Sequence, residues 1–263
     1  MEWFQALVLG IVQGLTEFLP VSSSGHLELG KALLGLEGET NITFTIVVHG
    51  ATILSTIVVF RKYIAQLLRG LFNFSWNSET QYVSKIALSM IPAVCIGLFF
   101  EDTIEQLFNG NLLFVGTMLL FTAALLAFTY YAKPRANGIS FKNSFIIGIA
   151  QAVAILPGVS RSGATIATGL LLGAKKEETA AFSFLMVIPV ILGANAKKLL
   201  DFSSQSTTES IDSMPLIIGF LAAFFVGWIA CNFMLRIVKN GKLVWFALYC
   251  GIVGLSSIFI SLT

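Results

Sequence analysis

Residues 10–26 read GIVQGLTEFLPVSSSGH. The stretch opens like a membrane helix and then breaks at Pro20. Three serines follow, then one of the chain's two histidines, and a carboxylate, Glu17, sits just before the break. An apolar segment that stops halfway for polar residues is not a simple span. It reads as half-helix, polar loop, half-helix, a re-entrant hairpin occupying residues 1–36. Irregular backbone at membrane depth is tolerated only where protein or a water-filled cavity covers it.

The pattern returns in GIAQAVAILPGVSRSG at 148–163. Gly10, Gln13, Pro20, Ser22, Ser24 and Gly25 correspond to Gly148, Gln151, Pro157, Ser160, Ser162 and Gly163, with one residue dropped before the proline and one added after it. A second hairpin over 141–173 follows from that match. Paired interrupted segments in corresponding halves point to a binding site near the bilayer midplane.

The rest of the chain supports a membrane setting. It has 263 residues, 56% hydrophobic and 11% charged, against about 25% charged in soluble domains; its mean hydropathy is +0.85. A helix needs about 20 apolar residues to cross the hydrocarbon. Six segments meet that need: 42–60, 84–100, 112–132, 179–196, 215–235 and 243–262, with kinks expected at Pro92 and Pro189. The expected fold is all-α: six transmembrane helices and two re-entrant hairpins, in inverted-topology repeats over 1–132 and 141–263. The net charge of +2 is too small to suggest nucleic acid. Cys95, Cys231 and Cys250 have no CxxC spacing and read as free thiols. MEWFQALVLG has no basic leader or small-residue cleavage site, so it is expected to be part of the folded chain.

Charge sets an orientation. With the N-terminus outside, Arg61, Lys62, Arg69, Lys85, Lys133, Arg135, Lys142, Lys175, Lys176, Arg236, Lys239 and Lys242 fall on one face, twelve of the sixteen basic residues. Basic residues favour the cytoplasmic side. Glu101, Asp102, Glu105, Asp201, Glu209 and Asp212 fall outside; Lys31, Lys197 and Lys198 dissent. The second hairpin then enters from inside, so the two polar loops meet.

Ionisable groups at that depth are costly and mark function. Arg161 offers a planar fork suited to phosphate or carboxylate. Ser160, Ser162 and Thr165 add hydroxyls, and the half-helices starting after SSSG and SRSG aim N-terminal amides at the same place, which favours an anion. Glu17 and Arg161 could instead simply pair to hold the hairpins, but that leaves the serines and His26 without a role. Serine, imidazole and carboxylate together suit nucleophilic attack on phosphorus or a carbonyl. His49, inside the first span, reads as a hydrogen-bonded interior residue. P-loop, HExxH and Cys/His metal motifs are absent. SSSGH is also similar to lipid phosphatases that use two histidines, but their second histidine and its aspartate are missing downstream of SRSGAT.

QGLTEFLPVSSSGH and PGVSRSGAT resemble the two signatures of the bacitracin-resistance family of undecaprenyl pyrophosphate phosphatases, and FTIVVHGATILSTIVVF and FSFLMVIPVILGA resemble that family too. The similarity covers essentially the whole chain. It implies hydrolysis of the terminal phosphate of a C55 polyprenyl diphosphate at the outer face of the bacterial plasma membrane, feeding the lipid-carrier cycle of cell-wall synthesis. It also implies a divalent cation, usually magnesium, and a fold of interlocked inverted repeats, often dimeric. Glu17, Ser23, His26 and Arg161 fall on the family's essential residues, and Glu17 is the carboxylate a metal would take. Gln13 stands where some members have a second glutamate. Gln13, Ser22, Ser24, Ser160, Ser162 and Thr165 are candidate phosphate-binding residues. Ser23 is the expected nucleophile, with His26 or Glu17 taking its proton; attack by water stays open. The rival reading is a transporter, a flippase of an anionic lipid built on the same repeats.

Overall fold

The computed structural model describes residues 1–36, 42–100, 104, 106–107, 111–133, 138–204, 213–241 and 243–262; for Ile42 and residues 198–204 only the backbone is described. Glu101, Asp102, Glu105, Arg135, Glu209, Asp212 and Lys242 lie outside the described residues, as do the side chains of Lys198 and Asp201. Among the described residues the chain forms ten α-helices and no strand.

The first broken segment is α1 (Trp3–Phe18) followed by α2 (Ser23–Leu33). Four long helices, α3 (Ile42–Phe72), α4 (Ser78–Phe99), α8 (Lys176–Ser204) and α9 (Ser213–Asn240), lie with α5 (Leu112–Phe128) and α10 (Val244–Leu262) on the six expected segments. The second broken segment is α6 (Phe141–Val153) and α7 (Arg161–Leu171). Those six helices, α5 counted with the 3-10 turn Thr129–Tyr131, are long and apolar enough to cross a membrane. Outward they expose Phe99, Trp245, Ile229 and Phe259, a surface that only lipid tolerates over such an area. The chain is a multi-pass membrane protein.

Apolar length marks the hydrocarbon, not the end of a helix. The first span therefore ends at residue 60 in the sequence, whereas α3 runs to Phe72, carrying Arg61, Lys62 and Arg69, good helix formers. Both α4 and α8 continue as single helices through Pro92 and Pro189.

Packing repeats between the halves. Helix α1 lies along α9, where a Cβ on Gly10 would stand 2.6 Å from the Gly219 carbonyl. Helix α6 lies along α4 in the same way, and a Cβ on Gly148 would run into the Ser89 carbonyl. Only glycine allows backbones so close. One end of the molecule gathers the C-terminal ends of α3 and α9 and the N-terminal ends of α4, α6 and α8. Gln66 bonds Glu79 at 3.0 Å, Lys85 sits over the Phe141 ring, Glu178 accepts from the Ile139 amide, and Lys239 pairs with Glu177 at 2.8 Å. Helix α6 starts at this end. Helix α1 runs parallel to α9, Gly14 beside Ala223 and Phe18 beside Gly227, and so starts at the other. Where α1 ends, Phe18 meets Phe184, which also packs against Phe60, within a packed core.

Candidate active site

The two breaks are built alike. Ser22 caps α2, its Oγ accepting from the Gly25 amide at 3.3 Å; Ser160 caps α7, accepting from the Gly163 amide at 3.0 Å. A side-chain oxygen at this position satisfies one of the helix's unpaired N–H groups. Ser23 and Arg161 are therefore the first residues of equivalent helices. The breaks also lock together. Ser162 Oγ donates to the Leu19 carbonyl at 3.1 Å, and a Cβ on Gly163 would touch Pro20. Gly158, at φ +95°, turns the second break where a side chain would run into the Val115 carbonyl.

Glu17, only 8% exposed, is the centre of the site. Its Oε1 accepts from Arg161 Nη2 at 2.7 Å. Its Oε2 accepts from Gln13 Nε2 at 3.0 Å and from Ser23 Oγ at 2.8 Å. Gln13 reaches it because the two are four apart on α1. The other Arg161 nitrogen, Nη1, donates to the Ser183 carbonyl on α8 at 3.1 Å. Two contacts engage only part of a guanidinium with five N–H donors. Each ionisable group thus has the partner its depth demands. Ser160 and Ser162 lie 3.3 Å apart through their hydroxyls, and Thr165 Oγ meets Ser183 Oγ at 2.6 Å.

His26 lies elsewhere than the expectation that it would meet the serine hydroxyls. Its Nδ1 is 2.8 Å from the Ser22 carbonyl and its Nε2 is 2.8 Å from Tyr249 Oη on α10. A carbonyl can only accept, so Nδ1 carries the proton, and in the neutral ring Tyr249 donates to Nε2. Glu17, rather than His26, holds the Ser23 hydroxyl. Ser22, whose Oγ lies 3.3 Å from that of Ser24, has a φ of 71°, an uncommon conformation for a residue with a side chain that costs on the order of 1–3 kcal/mol. His49 is half-buried, its Nδ1 on the Thr45 carbonyl, as expected of a hydrogen-bonded interior residue.

The comparisons with known proteins agree with one another. The profile of the family described as bacitracin resistance protein BacA matches residues 6–256. The chain belongs to the bacitracin resistance protein BacA family. Among curated relatives, it is 59% identical to the undecaprenyl-diphosphatase of Parabacteroides distasonis, over 98% of each chain. It is 58% identical to that of Bacteroides fragilis over 99% of each, and 40% identical to that of Carboxydothermus hydrogenoformans over 97% of this chain and 96% of the relative.

In this member of the BacA family three residues complete the site that the motifs alone do not disclose: Thr122, Ser183 and Tyr249. Thr122 on α5 accepts from the Ser160 amide at 3.0 Å and donates to the Gly158 carbonyl at 3.3 Å, pinning the second break. Each is one of the few polar residues inside an apolar span, which is the one signal the sequence offers for it.

Among the described residues no three His, Cys, Asp or Glu side chains cluster as a metal site. The donors at hand are the Glu17 carboxylate, serine hydroxyls and Gln13 Oε1, which is buried with no hydrogen-bond partner. These are hard oxygens, and they fit Mg²⁺, which binds through one or two carboxylates, substrate phosphates and retained water.

Proposed function

We propose that this chain hydrolyses undecaprenyl diphosphate to undecaprenyl phosphate and inorganic phosphate. The relatives reported above are named for that activity, which favours an enzyme over a flippase. One observation carries the chemistry: Ser23 Oγ and Arg161 Nη2, each from the first residue of a helix, share the buried Glu17 carboxylate at 2.8 and 2.7 Å.

The incoming diphosphate competes with Glu17 for Arg161. Amides at the starts of α2 and α7 and the hydroxyls of Ser160 and Ser162 share its charge. As the guanidinium turns to phosphate, Glu17 is free to take the Ser23 proton. Ser23 Oγ then bonds to the terminal phosphorus while the bond from that phosphorus to the bridging oxygen breaks. Undecaprenyl phosphate leaves with that oxygen. Glu17 hands the Ser23 proton to that oxygen. Water then gives a proton to Glu17 as its oxygen bonds to the phosphorus, and the bond from phosphorus to Ser23 Oγ breaks. Glu17 returns the proton to Ser23 Oγ and inorganic phosphate leaves. Gln13 and Glu17 would hold Mg²⁺, which supplies further neutralisation of phosphate charge when bound.

The site works at the outer face of the plasma membrane in the recycling of the carrier for cell-wall synthesis, and its turnover gives bacitracin resistance by removing the diphosphate lipid. Support for the orientation comes from the end that gathers Lys85, Lys176 and Lys239, which the positive-inside rule makes cytoplasmic. The halves 1–132 and 141–263 are inverted repeats on this reading, supported by the matched caps and the opposite starting ends of α1 and α6.

Purified protein in detergent, given undecaprenyl diphosphate with and without chelator, tests this. Phosphate release that falls on chelation is expected. Lipid binding without any phosphate release, there being no bilayer to transport across, would replace the enzyme with a carrier.

A further inference from the structure

Tyr249 has no part in the chemistry above, yet it makes a defined contact. Its hydroxyl is 2.8 Å from His26 Nε2, and the two rings stack, 13° from parallel with centroids 5.6 Å apart. The partners are 223 residues apart in the chain. Tyr249 is 44% exposed, whereas Glu17 is buried, so the contact lies on the rim of the site.

What His26 does from there is visible on its other side. Both its backbone N–H, at 3.1 Å, and its Nδ1–H, at 2.8 Å, donate to the Ser22 carbonyl. Ser22 is the residue with φ 71°, and its backbone sets the direction in which Ser23 leaves the break. A strained backbone persists only where its surroundings over-determine it. A neutral imidazole can donate from Nδ1 or from Nε2, not both. If Nε2 took the proton, the ring's bond to the Ser22 carbonyl would be lost. A donor opposite Nε2 opposes that, and the Tyr249 hydroxyl can donate there while the Ser22 carbonyl accepts from Nδ1.

We infer that Tyr249 is a positioning residue for the phosphatase. Its hydroxyl keeps His26 in the tautomer that holds the Ser22 carbonyl, and so keeps Ser23 Oγ on Glu17. The inference rests on the reading of Ser23 and Glu17 as the reacting groups.

The chain's two histidines make the test direct. ¹⁵N-histidine-labelled protein in detergent gives two imidazole signal sets, and His49→Gln identifies that of His26. The wild-type protein should show Nδ1 protonated and Nε2 bare. In Tyr249→Phe, which removes one oxygen, the Nε2–H tautomer should appear. The kcat for phosphate release should fall about tenfold with KM within about twofold, the effect of one lost hydrogen bond acting after binding. Tyr249→Gln retains a donor and should restore both signals and rate. Signals and rate unchanged in Tyr249→Phe would overturn the inference. So would a slower enzyme with unmoved His26 signals, or moved signals at full rate. Wild-type protein that shows the expected tautomer but releases no phosphate would instead overturn the phosphatase reading on which this rests.

Discussion

Ser23 and Arg161 occupy the same place in the two halves, each the first residue of the helix after its break, and both bond Glu17, one on each oxygen. The matched breaks place two equivalent positions facing one carboxylate. One position carries a hydroxyl that can attack, the other a cation that can hold phosphate.

Ser23→Ala should abolish turnover while leaving lipid affinity largely intact. Ser24→Ala should cost about ten- to hundredfold, as one hydrogen bond to a charged group does. Ser22→Ala should cost at least as much, because Ser22 Oγ also caps α2. Phosphate release by the three purified variants, with lipid binding in parallel, checks this. Equal and modest losses in all three would make water the attacking group.

Arg161→Lys should lose at least about a hundredfold in activity. One ammonium cannot span Glu17 and the Ser183 carbonyl as the guanidinium fork does. Near-normal turnover would remove Arg161 from phosphate binding.

Glu17→Gln should both inactivate and destabilise, since it strands a half-buried guanidinium; breaking a fully buried pair costs about 3–5 kcal/mol, and this one should cost less. The double variant Glu17→Gln, Arg161→Gln should melt at a higher temperature than the single one while staying inactive. Thermal unfolding in detergent reads the difference. A double variant that melts no higher would mean that the pair contributes little to stability.

Thr122→Val should lower both stability and kcat without touching phosphate, because it leaves the buried Ser160 amide unpaired. An orphaned buried donor costs about 1–3 kcal/mol. A variant with unchanged melting temperature and rate would show that the second break holds its shape without α5.

In a Cys95→Ser background, cysteines at Lys62 and Lys239 should label only from the cytoplasm and one at Glu2 only from outside. Reversed labelling would turn the whole orientation over.

Much of this architecture was legible because polar residues inside apolar text are rare and informative. Pro20 and Pro157 marked the breaks, and Glu17 and Arg161 had to find partners at that depth. The division of labour between Glu17 and His26 was not legible. Ser23 and His26 are three apart on α2, which brings them to neighbouring positions but does not say where the ring turns. That depends on Tyr249, 223 residues away. Thr122 and Ser183 stayed hidden likewise, since a single hydroxyl in a span can also satisfy itself on its own helix. Thr122, which donates to the Met118 carbonyl as well, does both.

The interlocked breaks carry a consequence for synthesis. Glu17 meets its guanidinium 144 residues later, and His26 meets its phenol only in the final span. A growing chain halted after α5 holds a carboxylate and a serine at membrane depth with no cation to balance them, and its half-built pocket lacks the second helix terminus. The Glu17–Arg161 centre closes only when α7 is in place, and Tyr249 joins it later with α10. A chain halted before α7 therefore lacks the cation that its chemistry needs, whereas one with a misinserted α10 should keep the Glu17–Arg161 pair but lose the brace on His26.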